Sequence, residues 1–87
     1  MPYKIKKGLA FRRIAGEVYI VDAARSEMRE LNGPASVIWE GLVRGDGERG
    51  LLSALTAEYE VNEKTARADL NGFVKELMAA GLIEATK

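Results

Sequence analysis

The spacing of apolar residues changes from strand-like to helix-like at the stretch Asn32–Pro34, and this change constrains the fold more than any other feature of the 87-residue sequence. Before it, short segments rich in aromatic and β-branched residues predict β-strands. Asn32 is a favourable helix N-cap, and Pro34 suits the first turn, where a missing N–H costs nothing. After it, apolar residues from Ala35 to Leu42 recur with the i, i+3, i+4, i+7 spacing of one helix face. The sequence therefore predicts strands first and helices second.

Three strands are predicted before this point, at residues 9–14, 17–22 and 27–31. Ala15-Gly16 separates the first two as a tight turn. The second strand is apolar on both faces, which indicates that both are at least partly covered. The third segment, EMREL, alternates poorly, as an edge strand can, and its backbone groups would then be free to pair with another strand.

Three helices are predicted after it, at residues 33–44, 48–60 and 63–80. Asn62 is the expected N-cap of the third helix, Gly81 is its left-handed stop, and LIEA follows as a short tail. Trp39 and Phe73 are expected to belong to the core. Without repeats or linkers, residues 1–87 read as one α+β domain with a three-stranded N-terminal antiparallel sheet followed by three helices.

The third helix has one apolar stripe and two flanks of different charge. The stripe contains Ala66, Leu70, Phe73, Val74 and Leu77. One flank carries Lys64, Arg67, Asn71, Lys75 and Met78, and the other carries Asp69 and Glu76. Two interpretations stay open: an ordinary solvated helix surface, or a recognition surface on the cationic and amide flank.

Composition argues against an enzyme. The chain has neither histidine nor cysteine, so it offers no thiol nucleophile, no imidazole base and no plausible zinc site. The carboxylates are spread at helix-surface spacings, and the glycine-bearing stretch RGDGERG lacks the Lys-Ser/Thr ending of a phosphate-binding loop. We therefore expect a binding module without catalytic residues, metal or cofactor.

Charge and hydropathy narrow the expected partners. Thirteen basic and 13 acidic residues give zero net charge, whereas nucleic-acid binders usually carry a basic excess. A basic cluster near the N-terminus is either a solvated or flexible segment or a contact for an anionic partner; it contains Lys4, Lys6, Lys7, Arg12 and Arg13. The apolar runs are too short for a membrane span, and no signal peptide is recognisable, so a cytoplasmic protein is expected.

The order and spacing of the core and cap residues resemble one family. They are Leu31, Asn32, Ala35, Ile38, Trp39, Gly47, Leu52, Leu55, Tyr59, Asp69, Leu70, Phe73, Val74, Leu77, Gly81 and Leu82. In this order they are similar to the D protein of pyrroloquinoline-quinone (PQQ) biosynthesis and its PqqD-like relatives. The resemblance implies a winged-helix-like domain that recognises ribosomally made precursor peptides. The leader segment would add as a strand beside the third strand, in a groove against the third helix, and would be presented to a modifying enzyme, often a radical S-adenosylmethionine protein.

Carried onto this chain, the resemblance predicts ten peptide-binding residues. They are Glu27, Met28, Arg29, Glu30 and Leu31 on the strand, and Arg67, Leu70, Asn71, Val74 and Lys75 on the helix. Arg67 and Lys75 would favour an acidic leader. The residues before Leu31 depart from the family, whose members often have aromatic or aliphatic side chains there, so the identity of the peptide is left open.

Two other functions remain as alternatives. A winged-helix DNA-binding regulator would also combine three helices with a small sheet, although zero net charge and a sheet that precedes the helices disfavour it. A generic interaction or dimerisation module could use the edge strand to pair with itself. The expected oligomeric state is a monomer or weak homodimer.

Overall fold

The computed structural model describes residues 3–85 and contains three helices and five strands within them. In chain order these are β1 Tyr3–Ile5, β2 Leu9–Ile14, β3 Glu17–Asp22, β4 Glu27–Glu30, α1 Gly33–Arg44, α2 Glu48–Glu58, α3 Glu63–Ala79 and β5 Ile83–Ala85. The α+β class, with three helices and antiparallel strands, is confirmed. β4, α2 and α3 each end one or two residues before the predicted ends.

The strands form two sheets, so the prediction of a single three-stranded N-terminal sheet is incomplete. β2, β3 and β4 form one antiparallel sheet in that order, and β1 pairs with β5 in a separate antiparallel ribbon. Ile83–Ala85, predicted to lie in a tail, is therefore a strand. The N-terminal basic segment also contributes to this ribbon: Lys6 N donates to Leu82 O at 3.0 Å, and Lys4 Nζ lies 3.6 Å from a Glu84 carboxylate oxygen.

Side-chain caps fix where α1 and α3 begin. Asn32 Oδ1 accepts from Ala35 N at 2.9 Å, and Asn62 Oδ1 accepts from Thr65 N at 2.8 Å. Each bond satisfies one of the backbone N–H groups that a helix start leaves without a partner. Gly81 follows α3 with a φ of 74°, the left-handed conformation that glycine adopts without strain. The predicted caps are thus confirmed, and Asn32 places α1 directly after the end of β4.

Trp39 lies at the centre of the core and has no exposed surface. The edge of one ring meets the face of the other where Trp39 packs with Phe11 of β2, with the centroids 5.7 Å apart. The core joins one face of the sheet to the apolar stripes of all three helices. The prediction that Trp39 belongs to the scaffold is confirmed. None of the helices between residues 3 and 85 has the length and apolar character needed to cross a membrane.

Candidate functional site

The outer edge of β4 is free within residues 3–85. β4 pairs with β3 alone, with Met28 opposite Val21 and Arg29 opposite Ile20. One residue further on, Leu31 N donates to Val18 O at 2.8 Å. Because antiparallel residues alternate in direction, Glu27, Arg29 and Leu31 direct their backbone groups toward β3. The backbone N–H and C=O groups of Met28 and Glu30 therefore point away from the sheet.

Two cavities lie near the two ends of β4, and together they define a candidate groove between this edge and α3. At the end near the β3–β4 turn it contains a cavity of about 90 Å³, lined by Ile20, Asp22, Glu27, Met28, Arg29, Ala80 and Leu82. At the end near the start of α1 it contains a cavity of about 370 Å³, lined by Asn32, Pro34, Ala35, Ile38, Asp69, Gly72, Phe73 and Glu76. Asp69, Phe73, Glu76 and Ala80 are separated by about one helical turn each, so they lie on one face of α3 and of the cap that follows it. We call this pair of cavities, with the β4 edge, the β4–α3 groove.

Arg25, in the β3–β4 turn, contacts two residues that line the smaller cavity. Its Nη1 donates to Ala80 O, at the C-terminal end of α3, at 2.9 Å, and lies 3.9 Å from a Glu27 carboxylate oxygen. A cation at this position also interacts favourably with the helix dipole. Arg25 thereby ties the start of β4 to the end of α3.

Asp22 lies on the floor of the groove, where it lines the smaller cavity, and its carboxylate is paired with Lys6. Lys6 Nζ donates to its Oδ2 at 3.1 Å. This hydrogen bond lowers the pKa of Asp22, outweighing the opposing effect of burial. The carboxylate is therefore already paired and does not add a free negative charge to the groove.

Ser36 holds the other end of β4 and was not identified from the sequence. It is fully buried, its Oγ accepts from Val18 N at 2.8 Å, and the same hydroxyl donates to Leu31 O at 3.3 Å. One side chain of α1 thus fixes both β3 and the residue that follows β4. A serine in the first turn of a helix ordinarily reads as a polar surface residue, and only its place beside the apolar Val37 and Ile38 hints at burial.

The predicted strand residues lie along the groove, but the predicted helix residues do not. Glu27, Met28 and Arg29 line it, Glu30 continues the free edge, and Leu31 is buried with 3% of its surface exposed. Leu70 and Val74 are core residues, with 0% and 3% exposed. Asn71 and Lys75 are exposed, but they are not among the residues that line either cavity.

Arg67 lies on the opposite side of α3 and is occupied by two carboxylates. Its guanidinium is 2.7 Å from Glu48 of α2 and 3.1 Å from Glu63. These partners raise the pKa of Arg67 above its usual value. α2 reaches this flank through the Glu48–Arg67 ion pair, whereas Asp69, Phe73 and Glu76 line the cavity at the start of α1. The α3 wall of the groove is thus the anionic flank.

The outer face of the three-stranded sheet carries a second electrostatic feature. Tyr19 Oη donates to Glu30 at 3.2 Å, and Glu17 lies beside the same carboxylate. A hydrogen bond with the Glu30 carboxyl group, together with repulsion between the two carboxylates, raises the pKa of Glu17. Met28 belongs to this face and is 70% exposed, so its side chain points away from the groove while its backbone lies at the edge.

Comparison with known proteins assigns the chain to a protein family. The family model for coenzyme PQQ synthesis protein D (PqqD) matches residues 17–83. The chain belongs to this family, and the resemblance inferred from its core and cap residues is confirmed. No curated protein matches the chain.

Two solved structures have closely similar folds. One is TbiB1 in complex with the TbiA(beta) leader peptide, 27% identical, with a TM-score of 0.87 and coverage of 97% of this chain and 98% of that one. The other is a lasso peptide synthetase B1 complexed with the leader peptide, 23% identical, with a TM-score of 0.86 and coverage of 97% and 99%. At that identity the second likeness concerns the fold alone.

Proposed function

We propose that this chain is a non-catalytic recognition element that binds the leader segment of a ribosomally synthesised precursor peptide. Membership of the PqqD family and likeness to a protein solved with a leader peptide support this function. The observation that carries it is the edge of β4, where the backbone groups of Met28 and Glu30 point away from the sheet and pair with no other strand among residues 3–85. A DNA-binding role is disfavoured by the zero net charge.

The leader binds by strand addition in this proposal. Main-chain hydrogen bonds to Met28 and Glu30 supply affinity, and alternate leader side chains enter the β4–α3 groove and supply specificity. The strand wall is the predicted segment Glu27–Leu31. The helix wall differs from the sequence-based prediction and consists of Asp69, Phe73 and Glu76, with Ala80 at its end.

The bound peptide is then presented to a separate modifying enzyme, for which a radical S-adenosylmethionine maturase is one candidate class. The chain has no histidine or cysteine, which supports a role in binding the peptide while the modifying enzyme carries out the reaction. Residues 1–87 act as one recognition domain in this proposal. The succession of three helices and the short β1–β5 ribbon supports its description as winged-helix-like.

Replacing Met28 by proline tests strand addition directly. Proline removes an N–H of β4 that points away from β3, so the hydrogen bonds within the sheet remain. An incoming strand can no longer accept a hydrogen bond from this N–H, and it also clashes with the proline ring. We expect Met28→Pro to weaken binding about 10-fold or more, since one hydrogen bond and the close approach of the backbones are lost. The ligand is the leader of the precursor peptide encoded nearest this gene, measured by fluorescence anisotropy.

Met28→Ala is the matched control, because it removes the same exposed side chain and keeps the N–H. Its affinity should stay within about threefold of that of the parent chain, because alanine leaves the backbone donor in place. Circular dichroism of both variants checks that the sheet is retained. Equal affinities for the proline and alanine variants would rule out strand addition at this edge.

A further inference from the structure

The α3 wall of the β4–α3 groove carries two carboxylates that have no ionic partner within residues 3–85. Asp69 and Glu76 are exposed and do not take part in the salt bridges formed by these residues. They are seven residues apart, which is about two helical turns, or about 10.5 Å along the axis. Arg67 on the other flank is different, because Glu48 and Glu63 already satisfy its charge.

The surface between the two carboxylates is open and partly apolar. Phe73 lies between them in sequence and is only partly buried against the core. A methyl group added at Gly72 would meet nothing within 4 Å, so this position leaves space above the helix. The remaining lining of the larger cavity is uncharged and comes from Asn32, Pro34, Ala35 and Ile38. This end of the groove is therefore negatively charged, with an aromatic surface and room for a side chain.

The end of the groove near the β3–β4 turn carries both positive and negative charges. Arg25 bridges to Ala80, Arg29 lines the cavity, and the carboxylate of Asp22 is paired with Lys6. Glu27 is the other acidic residue of that cavity, and it lies near Arg25. The charge along the groove thus changes from acidic near Asn32 to mixed near the β3–β4 turn.

We propose that the groove selects a leader segment with a lysine or arginine opposite Asp69 and Glu76 whose aliphatic part packs on Phe73. This inference rests on the proposed function and deepens it by naming the chemistry of the leader. It is the reverse of the acidic leader predicted from Arg67 and Lys75. A leader strand antiparallel to β4 carries this cation toward its own N-terminal end, because β4 runs toward Asn32.

A long basic side chain suits the site for two physical reasons. Its methylene groups can cover the aromatic ring while the charged end reaches the carboxylates. A cation near the face of an aromatic ring gains a further electrostatic attraction. An acidic leader residue at the same position would face two like charges, and the described residues that line this cavity include no lysine or arginine to offset them.

Selection from a random 12-residue peptide library displayed on yeast identifies the preferred chemistry without knowledge of the natural leader. Peptides that bind the parent chain and lose binding to Met28→Pro are retained, because these use the β4 edge. We expect one position in the retained peptides to be enriched in lysine and arginine and depleted in aspartate and glutamate.

Charge variants then assign that position to the two carboxylates. For a selected lysine peptide, Asp69→Asn with Glu76→Gln should weaken binding about 3- to 20-fold, as expected for two partly exposed ion pairs. Asp69→Lys with Glu76→Lys should reverse the preference in favour of a glutamate at the same peptide position. The matched control is Glu58→Gln with Glu60→Gln, which changes the net charge equally at exposed residues that do not line the groove. The control should bind within about twofold of the parent chain, because charges outside the groove are screened by solvent and salt.

The outcomes separate this inference from the proposed function. Retained peptides without a basic preference, or equal losses in the groove variant and the control, would overturn the charge preference and leave strand addition intact. A library that yields no binder sensitive to Met28→Pro would overturn both.

Discussion

Ser36 provides the sharpest test of how the strand wall of the groove is held in place. Its buried hydroxyl accepts from Val18 N at 2.8 Å and donates to Leu31 O at 3.3 Å. Ser36→Ala leaves both backbone groups without these partners in a region from which water is excluded. An unsatisfied buried group costs about 1–3 kcal/mol, and the longer bond belongs to the lower part of that range. We therefore expect a loss of about 2–4 kcal/mol in the free energy of unfolding.

Urea denaturation followed by Trp39 fluorescence measures this loss. The dependence of the free energy on urea should be unchanged, because the variant exposes the same surface on unfolding. Ser53→Ala is the matched control, since Ser53 is exposed on α2, and it should change stability by less than about 0.5 kcal/mol. If Ser36→Ala lowers the free energy of unfolding no more than Ser53→Ala does, the role assigned to the buried hydroxyl is refuted.

Two further variants test the core and the floor of the groove. Trp39→Ala should lower the free energy of unfolding by about 3–5 kcal/mol, because Trp39 is fully buried; a loss under about 1 kcal/mol, measured by circular dichroism in guanidinium, would contradict its place in the core. Lys6 lowers the pKa of Asp22 in the folded state below its ordinary value of 3.8, so ionised Asp22 stabilises the fold above pH 3.8, and this contribution is lost as the pH falls through the lower folded-state pKa. Asp22→Asn should therefore show a flatter decline of stability as the pH falls below 3.8, and an unchanged acid profile would contradict the pairing with Lys6.

Local chemistry accounts for the features that the sequence predicted. Asn32 and Asn62 act through neighbours three residues away, and Gly81 acts through its own backbone freedom, so each leaves a signal in a short window. The helical spacing around Trp39 likewise identifies a buried face without reference to the rest of the chain. These are the elements whose positions the structure confirms.

The flank of α3 that lines the cavity at the start of α1 could not be derived in this way. A helical projection separates Asp69 and Glu76 from Arg67 and Lys75, but it does not say which neighbour each flank meets. That depends on how α1 and α2 pack around α3, which is a property of the whole fold. The sequence-based prediction placed the leader against Arg67 and Lys75. In the structure Arg67 forms ion pairs with Glu48 of α2 and Glu63 of α3.

The β1–β5 ribbon was missed for a related reason. Each strand has three residues, and the two lie at opposite ends of the described chain, with Ile5 paired to Ile83. No turn connects them, and three residues are too few to show a reliable alternation. Such long-range pairing is decided by tertiary packing, as is the burial of Ser36.

Intermolecular nuclear Overhauser effects in the complex with a bound leader peptide test the central claim most directly. The account predicts contacts from the leader backbone to Met28 and Glu30, and from leader side chains to the Phe73 ring, as in a strand added along β4. Contacts to the side chains of Arg67 and Lys75 without any to Phe73, or effects confined to the basic N-terminal segment, would contradict it.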